Sequence, residues 1–209
     1  SDNYGAMIFE SSRTNFYTSE DANLLNKICR SIASLIEIVA LKNYIGERIT
    51  NDHVTGILKH EVMLRQLSSE LDRQSDTDIS GIFLLLSIDK HDEISYKYGI
   101  SGFNTVLLSI VDILKSTIPS YDYLGRIEDN VIGIFRIGLN LDDGKVFAEK
   151  IRKLVASNIV SVDSKSFSVT VSIGLVETHR FNNSPDIVDN CMKVLKIAFE
   201  EGGNRVKIN

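Results

Sequence analysis

Residues 121–137 read YDYLGRI-EDN-VIGIFRI, two runs rich in β-branched and aromatic residues around a short acidic tripeptide. Such runs form strands, and a short Asp/Asn segment between them marks a hairpin turn. The pattern predicts strands over 121–127 and 131–137, with Glu128, Asp129 and Asn130 at the tip. Working outward, IFLLL at 82–86 predicts a buried strand over 81–88. It is followed by a short helix near 92–98 and a longer one over 102–117. Beyond the hairpin the pattern predicts a helix over 142–157, one strand over 166–177, a helix over 185–201 and a terminal strand over 205–208. Upstream, a helix over 56–73 and a polar loop over 74–80 precede the first core strand. The order predicts an α+β fold, a sheet with helices on one face.

The N-terminal quarter reads differently. A short strand is expected over 4–10 and a polar loop over 11–19. Ser19 is the expected N-cap of a long helix, with Glu20 and Asp21 in its first turn. This helix runs to about Thr50. Leu25, Ile32 and Val39 recur every seven residues, as do Ile28 and Leu35, and Lys42 and Gly46 interrupt the stripe. The stripe either pairs two chains or packs on its own domain; a length above thirty residues favours a parallel homodimer.

The chain has 209 residues, 43% of them hydrophobic, which indicates a packed protein and excludes a disordered one. The net charge of −5 argues against a nucleic-acid partner. No apolar run approaches the roughly 18 residues of a membrane span. Cys29 and Cys191 are expected as two buried free thiols, in keeping with a reducing cytoplasm. The four His and two Cys show no metal-ligand spacing.

Several motifs fit one family in order and spacing. They are Asp52-x-Val54-Thr55-Gly56, Tyr98-Gly99, Arg126, Thr170-Val171-Ser172-Ile173-Gly174 and Gly202-x-Asn204-Arg205-Val206. Together they resemble the GGDEF domain of diguanylate cyclases, which join two GTP molecules into cyclic di-GMP. The resemblance covers residues 52–208 and implies a five-stranded sheet related to the palm of nucleotide cyclases. Residues 4–9 and 16–21, with the helix after them, resemble the C-terminal end of a GAF sensory domain. The organisation expected is a GAF-like remnant over 1–18, a signalling helix over 19–50 and a GGDEF-like domain over 51–209.

The resemblance also places the chemistry, and the chain departs from it. The family's hairpin reads Arg-Tyr-Gly-Gly-Asp-Glu-Phe. The matching positions here are Arg126, Ile127, Glu128, Asp129, Asn130, Val131 and Ile132. Phosphoryl transfer between two GTP molecules needs divalent metals on carboxylates. Ser87 stands at the family's strand-end metal aspartate, and Asn130 and Val131 replace the hairpin acids. Glu128 and Asp129 replace the two glycines and are expected as a solvated tip, the alternative being displaced metal ligands. Asp89 is expected to cap the helix after it. Ser95 and Asn104 stand at the family's base contacts, and Phe199 and Gly203 at its phosphate-binding positions. The family's product-binding Arg-x-x-Asp falls on Pro119 and Asp122. The arginine is absent, which argues against cyclic di-GMP there, and Asp122 is expected in a turn or on the surface.

The reading is therefore a catalytically inactive regulatory or scaffolding domain, with no catalytic residue, metal or cofactor. It is expected in the cytoplasm, alone or as the cytoplasmic part of a larger membrane-associated protein. Its expected partners are a second copy and another signalling or secretion protein. The alternatives are a cyclic di-GMP receptor using a non-standard site, and a divergent GTP-using cyclase with displaced acids.

Overall fold

The computed structural model describes residues 8, 10–14, 17–76 and 81–209, and the side chains of all these except 40–49, 75 and 76. Of the strand expected over 4–10, residues 4–7 and 9 lie outside the described residues, and residues 8 and 10 are not in a strand. The chain divides into two units, Ser1–Ile49 and Thr50–Asn209.

The first unit is dominated by α1 (Ser19–Thr50), 32 residues long. Its N-cap is Thr18 and not Ser19. The Thr18 hydroxyl accepts from the Asp21 amide (3.2 Å), while the Thr18 amide and hydroxyl donate to the Asp21 carboxylate (2.8 and 2.7 Å). This reciprocal pair satisfies orphan donors at the helix start. Ile28, Ile32, Leu35 and Val39 are exposed and Leu25 is half-buried. Cys29 is also only half-buried, against the expectation of a buried thiol. The interruptions at Lys42 and Gly46 fall outside the described side chains.

The second unit is an α+β sandwich. In chain order it comprises β1 (Leu58–Lys59), α2 (His60–Asp76), β2 (Gly81–Ile88), α3 (His91–Thr117, broken into a short and a long segment at Gly99, whose φ is 68°, as the sequence leads one to expect), β3 (Tyr123–Glu128), β4 (Val131–Ile137), α4 (Leu141–Ser157), β5 (Ile159–Val162), β6 (Lys165–Ser168), β7 (Val171–Glu177), α5 (Ser184–Glu200) and β8 (Val206–Ile208). Six strands form one mixed sheet in the order β1-β3-β4-β2-β7-β8, one more than the resemblance implied. Only β1–β3 and β7–β8 are parallel.

β2 lies inside this sheet, antiparallel to β4 and β7, and all eight of its residues are buried. A strand buried on both faces reads as an unbroken apolar run, which explains IFLLL. Alternation sends Ile82, Leu84, Leu86 and Ile88 to a core with α3 and α4, and Phe83 and Leu85 to a core with α2 and α5. Helices thus cover both faces, which corrects the one-face expectation. Gly174 on β7 is required by this packing, since a Cβ there would lie 2.6 Å from the Leu195 amide nitrogen and 2.7 Å from the Cys191 carbonyl of α5. α4 and α5 open with the same device: Asn140 accepts from the Asp143 amide (2.9 Å) and Asn183 from the Asp186 amide (2.8 Å).

Two expected elements divide. The helix expected from Gly56 begins at His60, because residues 58 and 59 pair with Gly125 and Arg126. The strand expected over 166–177 is two: β6 pairs only with β5, and β7 joins the main sheet. Asp163 and Ser164 turn between β5 and β6 with φ of 48° and 63°, the left-handed geometry a two-residue hairpin favours.

Candidate functional site

The end of β2 and the β3–β4 tip form the centre of the site. Ser87 is buried, in register with Val131 on one side and Ser172 on the other. The Asn130 amide donates to the Ser87 hydroxyl at 3.0 Å, and the Ile88 amide donates to the Asn130 carbonyl at 3.3 Å. Ser87 and Asn130 therefore satisfy each other. Val131 and Ile132 are core residues on opposite faces of the sheet, Val131 in the core that holds Phe83 and Leu85 and Ile132 in the core that holds Leu84 and Leu86. A hydroxyl, an amide and an isopropyl group carry no charge for a divalent cation and do not fit one. Among the described residues no group of three or more His, Cys, Asp or Glu is placed to hold a metal ion.

Asp89 does not cap α3, whose N-cap Lys90 makes no side-chain cap bond. Its carboxylate accepts from the Thr170 hydroxyl (2.6 Å), the Ser172 hydroxyl (2.6 Å) and the Asn204 amide (2.9 Å). Three donors on two segments explain why a carboxylate can be nearly buried there. The residue ties the end of β2 to the start of β7 and to the loop before β8. A Cβ on Gly203 would stand 3.0 Å from Asp89 Oδ1, so the loop closes directly over the carboxylate.

The hairpin tip is held from below. Neither Asp129 nor Asn130 has positive φ, so the turn is not of the primed kind. The register instead shifts between Arg126 and Glu128, a β-bulge that restores the strand twist. Arg126 spans the bulge and donates to the Asp129 carbonyl at 2.9 Å. Its other nitrogen reaches both Asp52 oxygens, at 3.1 and 3.2 Å. Asp52 also accepts from the Thr55 amide and hydroxyl (2.9 and 2.7 Å), closing the loop before β1. Burial opposes ionisation of Asp52, but the Thr55 hydrogen bonds and the Arg126 charge outweigh it and hold its pKa below the usual carboxylate value. The sequence carried this clamp as Asp-x-x-Thr-Gly, the spacing of an Asp side chain folding back on its own turn; its partner Arg126, 74 residues on, had no local signal.

A cleft of about 500 Å³ opens beside the tip. It brings together five of the sequence-derived positions, Ser95, Asn104, Glu128, Asp129 and Asn130, and adds His91, Asp92, Ile100, Phe103 and Arg126, of which only Arg126 had been singled out. The Asp129 side chain is fully exposed, 3.8 Å from Arg126. Pro119 and Asp122 are elsewhere, on a separate pocket of about 310 Å³. Asp122 lies in a turn, its amide donating to the Pro119 carbonyl at 3.1 Å, but it is not a surface residue. Its buried carboxylate accepts from Arg136 Nε at 2.6 Å and the Ile137 amide at 3.1 Å. The Arg136 guanidinium in turn sits 4.3 Å from the Phe147 ring centroid, a cation–π contact.

Comparison with known proteins agrees with this architecture. The family model "Diguanylate cyclase, GGDEF domain" matches residues 49–205. Diguanylate cyclase A of Treponema denticola is 27% identical over 187 residues, 87% of this chain and 50% of that protein. The probable diguanylate cyclase DgcT of Escherichia coli is 21% identical over 201 residues, 92% of this chain and 43% of that protein. The chain thus spans half or less of the length of these relatives. Among solved structures, the coiled coil and GGDEF domain of DgcB from Caulobacter crescentus, in complex with c-di-GMP, superposes with a TM-score of 0.81 at 15% identity, covering 89% of this chain and 99% of that one. Diguanylate cyclase SiaD of Pseudomonas aeruginosa, in complex with its activator SiaC, gives 0.75 at 23% identity over 91% of this chain and 74% of that one.

Proposed function

The chain belongs to the GGDEF domain family, and on that premise we propose that it is a member without cyclase activity, a regulatory or scaffolding domain of cyclic di-GMP-related signalling. One observation carries the proposal: the neutral Ser87–Asn130 hydrogen bond where the family's metal carboxylates belong. Without paired carboxylates no divalent cation is held against the triphosphate, and the charge developing in phosphoryl transfer has no counter-ion. Exposed Glu128 and Asp129 add negative charge on the cleft wall, which disfavours a triphosphate. Incubation with GTP and Mg²⁺ or Mn²⁺ is expected to yield no cyclic di-GMP. Dinucleotide formed by the wild type, and lost on replacing Glu128 or Asp129, would establish displaced ligands and overturn the proposal.

Receptor function at the family's inhibitory position is disfavoured on two counts. Pro119 offers neither charge nor an N–H donor, and the Asp122 carboxylate is already engaged by Arg136. Calorimetric titration with cyclic di-GMP is expected to show no binding there. A complex in which Asp122 and another arginine hold the dinucleotide would revive the receptor reading.

The working form proposed is a parallel homodimer through α1. The 3-4 spacing of Leu25, Ile28, Ile32, Leu35 and Val39 supports it, and so does the similarity to a DgcB structure described as containing a coiled coil. Residues 1–18 are read as the end of a GAF-like sensory domain, 19–50 as the relay and 51–209 as the output. The partner is read as another signalling or secretion protein, a reading supported by SiaD's complex with its activator. No helix among the described residues is long and apolar enough to cross a membrane. The location proposed remains the cytoplasm.

A further inference from the structure

We propose that the cleft beside the hairpin tip is a docking groove for a second copy of this chain, which enters it with the outer face of α4. The inference rests on the reading that the cleft no longer takes a nucleotide, since a triphosphate would compete for the same space.

The cleft carries exposed carboxylates at Asp92, Glu128 and Asp129. Arg126, the cation that lines it, is already committed, bound by Asp52 at 3.1 Å and reaching Asp129 only at 3.8 Å. Of the nearby lysines, Lys90 lies 3.8 Å from Glu93 and Lys97 lies over the Tyr98 ring. The groove therefore has surplus negative charge. It is also partly apolar: Ile100 lines it at 80% exposure, and Tyr96, four residues earlier, is 95% exposed. These two side chains add apolar area beside the cleft that a docked surface would remove from water.

The complementary surface is on the same chain. Lys145, Val146, Lys150, Lys153 and Leu154 form the solvent face of α4, Val146 at 72% exposure. Among the described residues no carboxylate lies within salt-bridge distance of these three ammonium groups. Glu149, which shares the face, is held by Arg152 at 2.9 Å. Three lysines over about 12 Å of helix, at 1.5 Å per residue, face outward beside two aliphatic side chains. They match three carboxylates beside Ile100 and Tyr96 in both charge and polarity pattern.

Exposed ion pairs are individually weak and screened by salt. The contact is accordingly weak, concentration-dependent and salt-sensitive, unlike apolar pairing through α1. Dimers formed through α1 and joined through this second contact grow into larger assemblies, as contacts between two different patches do unless they close.

Sedimentation velocity on the full chain tests this. At low salt, species larger than the α1 dimer are expected as concentration rises. Raising ionic strength several-fold should lower their association constant about tenfold. Glu128→Lys with Asp129→Lys should remove the larger species, and so should Lys150→Glu with Lys153→Glu. Mixing the two charge-reversed proteins in equal amounts should restore them, which also shows that both variants are folded. Wild-type protein that stops at the α1 dimer, variants that associate like wild type, or a mixture that fails to restore assembly would each overturn the proposal. Cyclic di-GMP production by the wild type would instead overturn the non-catalytic reading, so the two failures are read by different measurements.

Discussion

Asp52 is partly buried, which favours its neutral form, yet Thr55 and Arg126 hold it ionised. Its folded pKa is lowered, so its stabilisation is fully present above the ordinary carboxylate value of about 3.9 and is lost as pH falls through the lower folded value. Asp52→Asn is expected to cost about 2 kcal/mol at pH 7. That deficit should stay level between about pH 5 and 8 and shrink toward acid, below about pH 4. Urea unfolding of both proteins across pH checks this, and a deficit that grew in acid would contradict it. Ser87 and Asn130 pose the complementary case, two neutral groups satisfying each other at 3.0 Å. Changing both to Asp puts like charges in contact and should destabilise the protein. Mn²⁺ should then raise the variant's melting temperature and leave the wild type's unchanged. A cation-induced shift in the wild type would show a metal site that Ser87 and Asn130 do not account for.

Among the elements, α1 and β7 put the largest demands on particular residues. The α1 stripe, from Leu25 to Val39, would contribute roughly 1.5–3 kcal/mol per aliphatic side chain buried in a dimer, before the cost of association. Ile32→Glu with Leu35→Glu should convert dimer to monomer in sedimentation equilibrium. A wild type that is already monomeric at high micromolar concentration would leave α1 without the proposed role. β7 meets α5 with no room for a side chain at Gly174, where a Cβ would fall 2.6 Å from backbone nitrogen. Gly174→Ala forces α5 away from the sheet and should cost about 1–3 kcal/mol, lowering the melting temperature by several degrees. An unchanged melting temperature would mean that the α5–β7 approach is looser than the geometry requires.

For the whole molecule, the division at residue 49/50 separates a long helix from a sheet packed on both faces. Residues 50–209 contain both hydrophobic cores, the Asp52–Arg126 clamp and the Asp89 network. This segment is therefore expected to unfold in one cooperative transition when produced without residues 1–49, as single domains of this size commonly do. Circular dichroism in urea would check it. A multistep transition, or loss of the folded state, would show that α1 completes the domain.

Some features were legible because their signal is local. IFLLL at 82–86 read as a buried strand, the period-seven stripe set out α1, and the runs around Glu128-Asp129-Asn130 gave the hairpin, since side-chain periodicity reports which faces meet water. The residue types at Ser87, Asn130 and Val131 were equally plain, because each stands at a position counted from motif spacing. What those residues do was decided by contacts across the chain. Asp89 was read as a helix cap and is a three-donor anchor, because Thr170, Ser172 and Asn204 lie 81 to 115 residues away. Asp122 reads locally as a turn or surface residue; it does lie in a turn, but it is buried against Arg136 because β4 folds back beside it. Helices on both faces, and the split of 166–177 into β6 and β7, likewise follow from strand pairing, and Ser95, Asn104 and Glu128 meet in one cleft only because α3 packs beside the hairpin. Local pattern determines which residues seek burial; only the assembled sheet decides which distant polar groups must satisfy one another once water is gone.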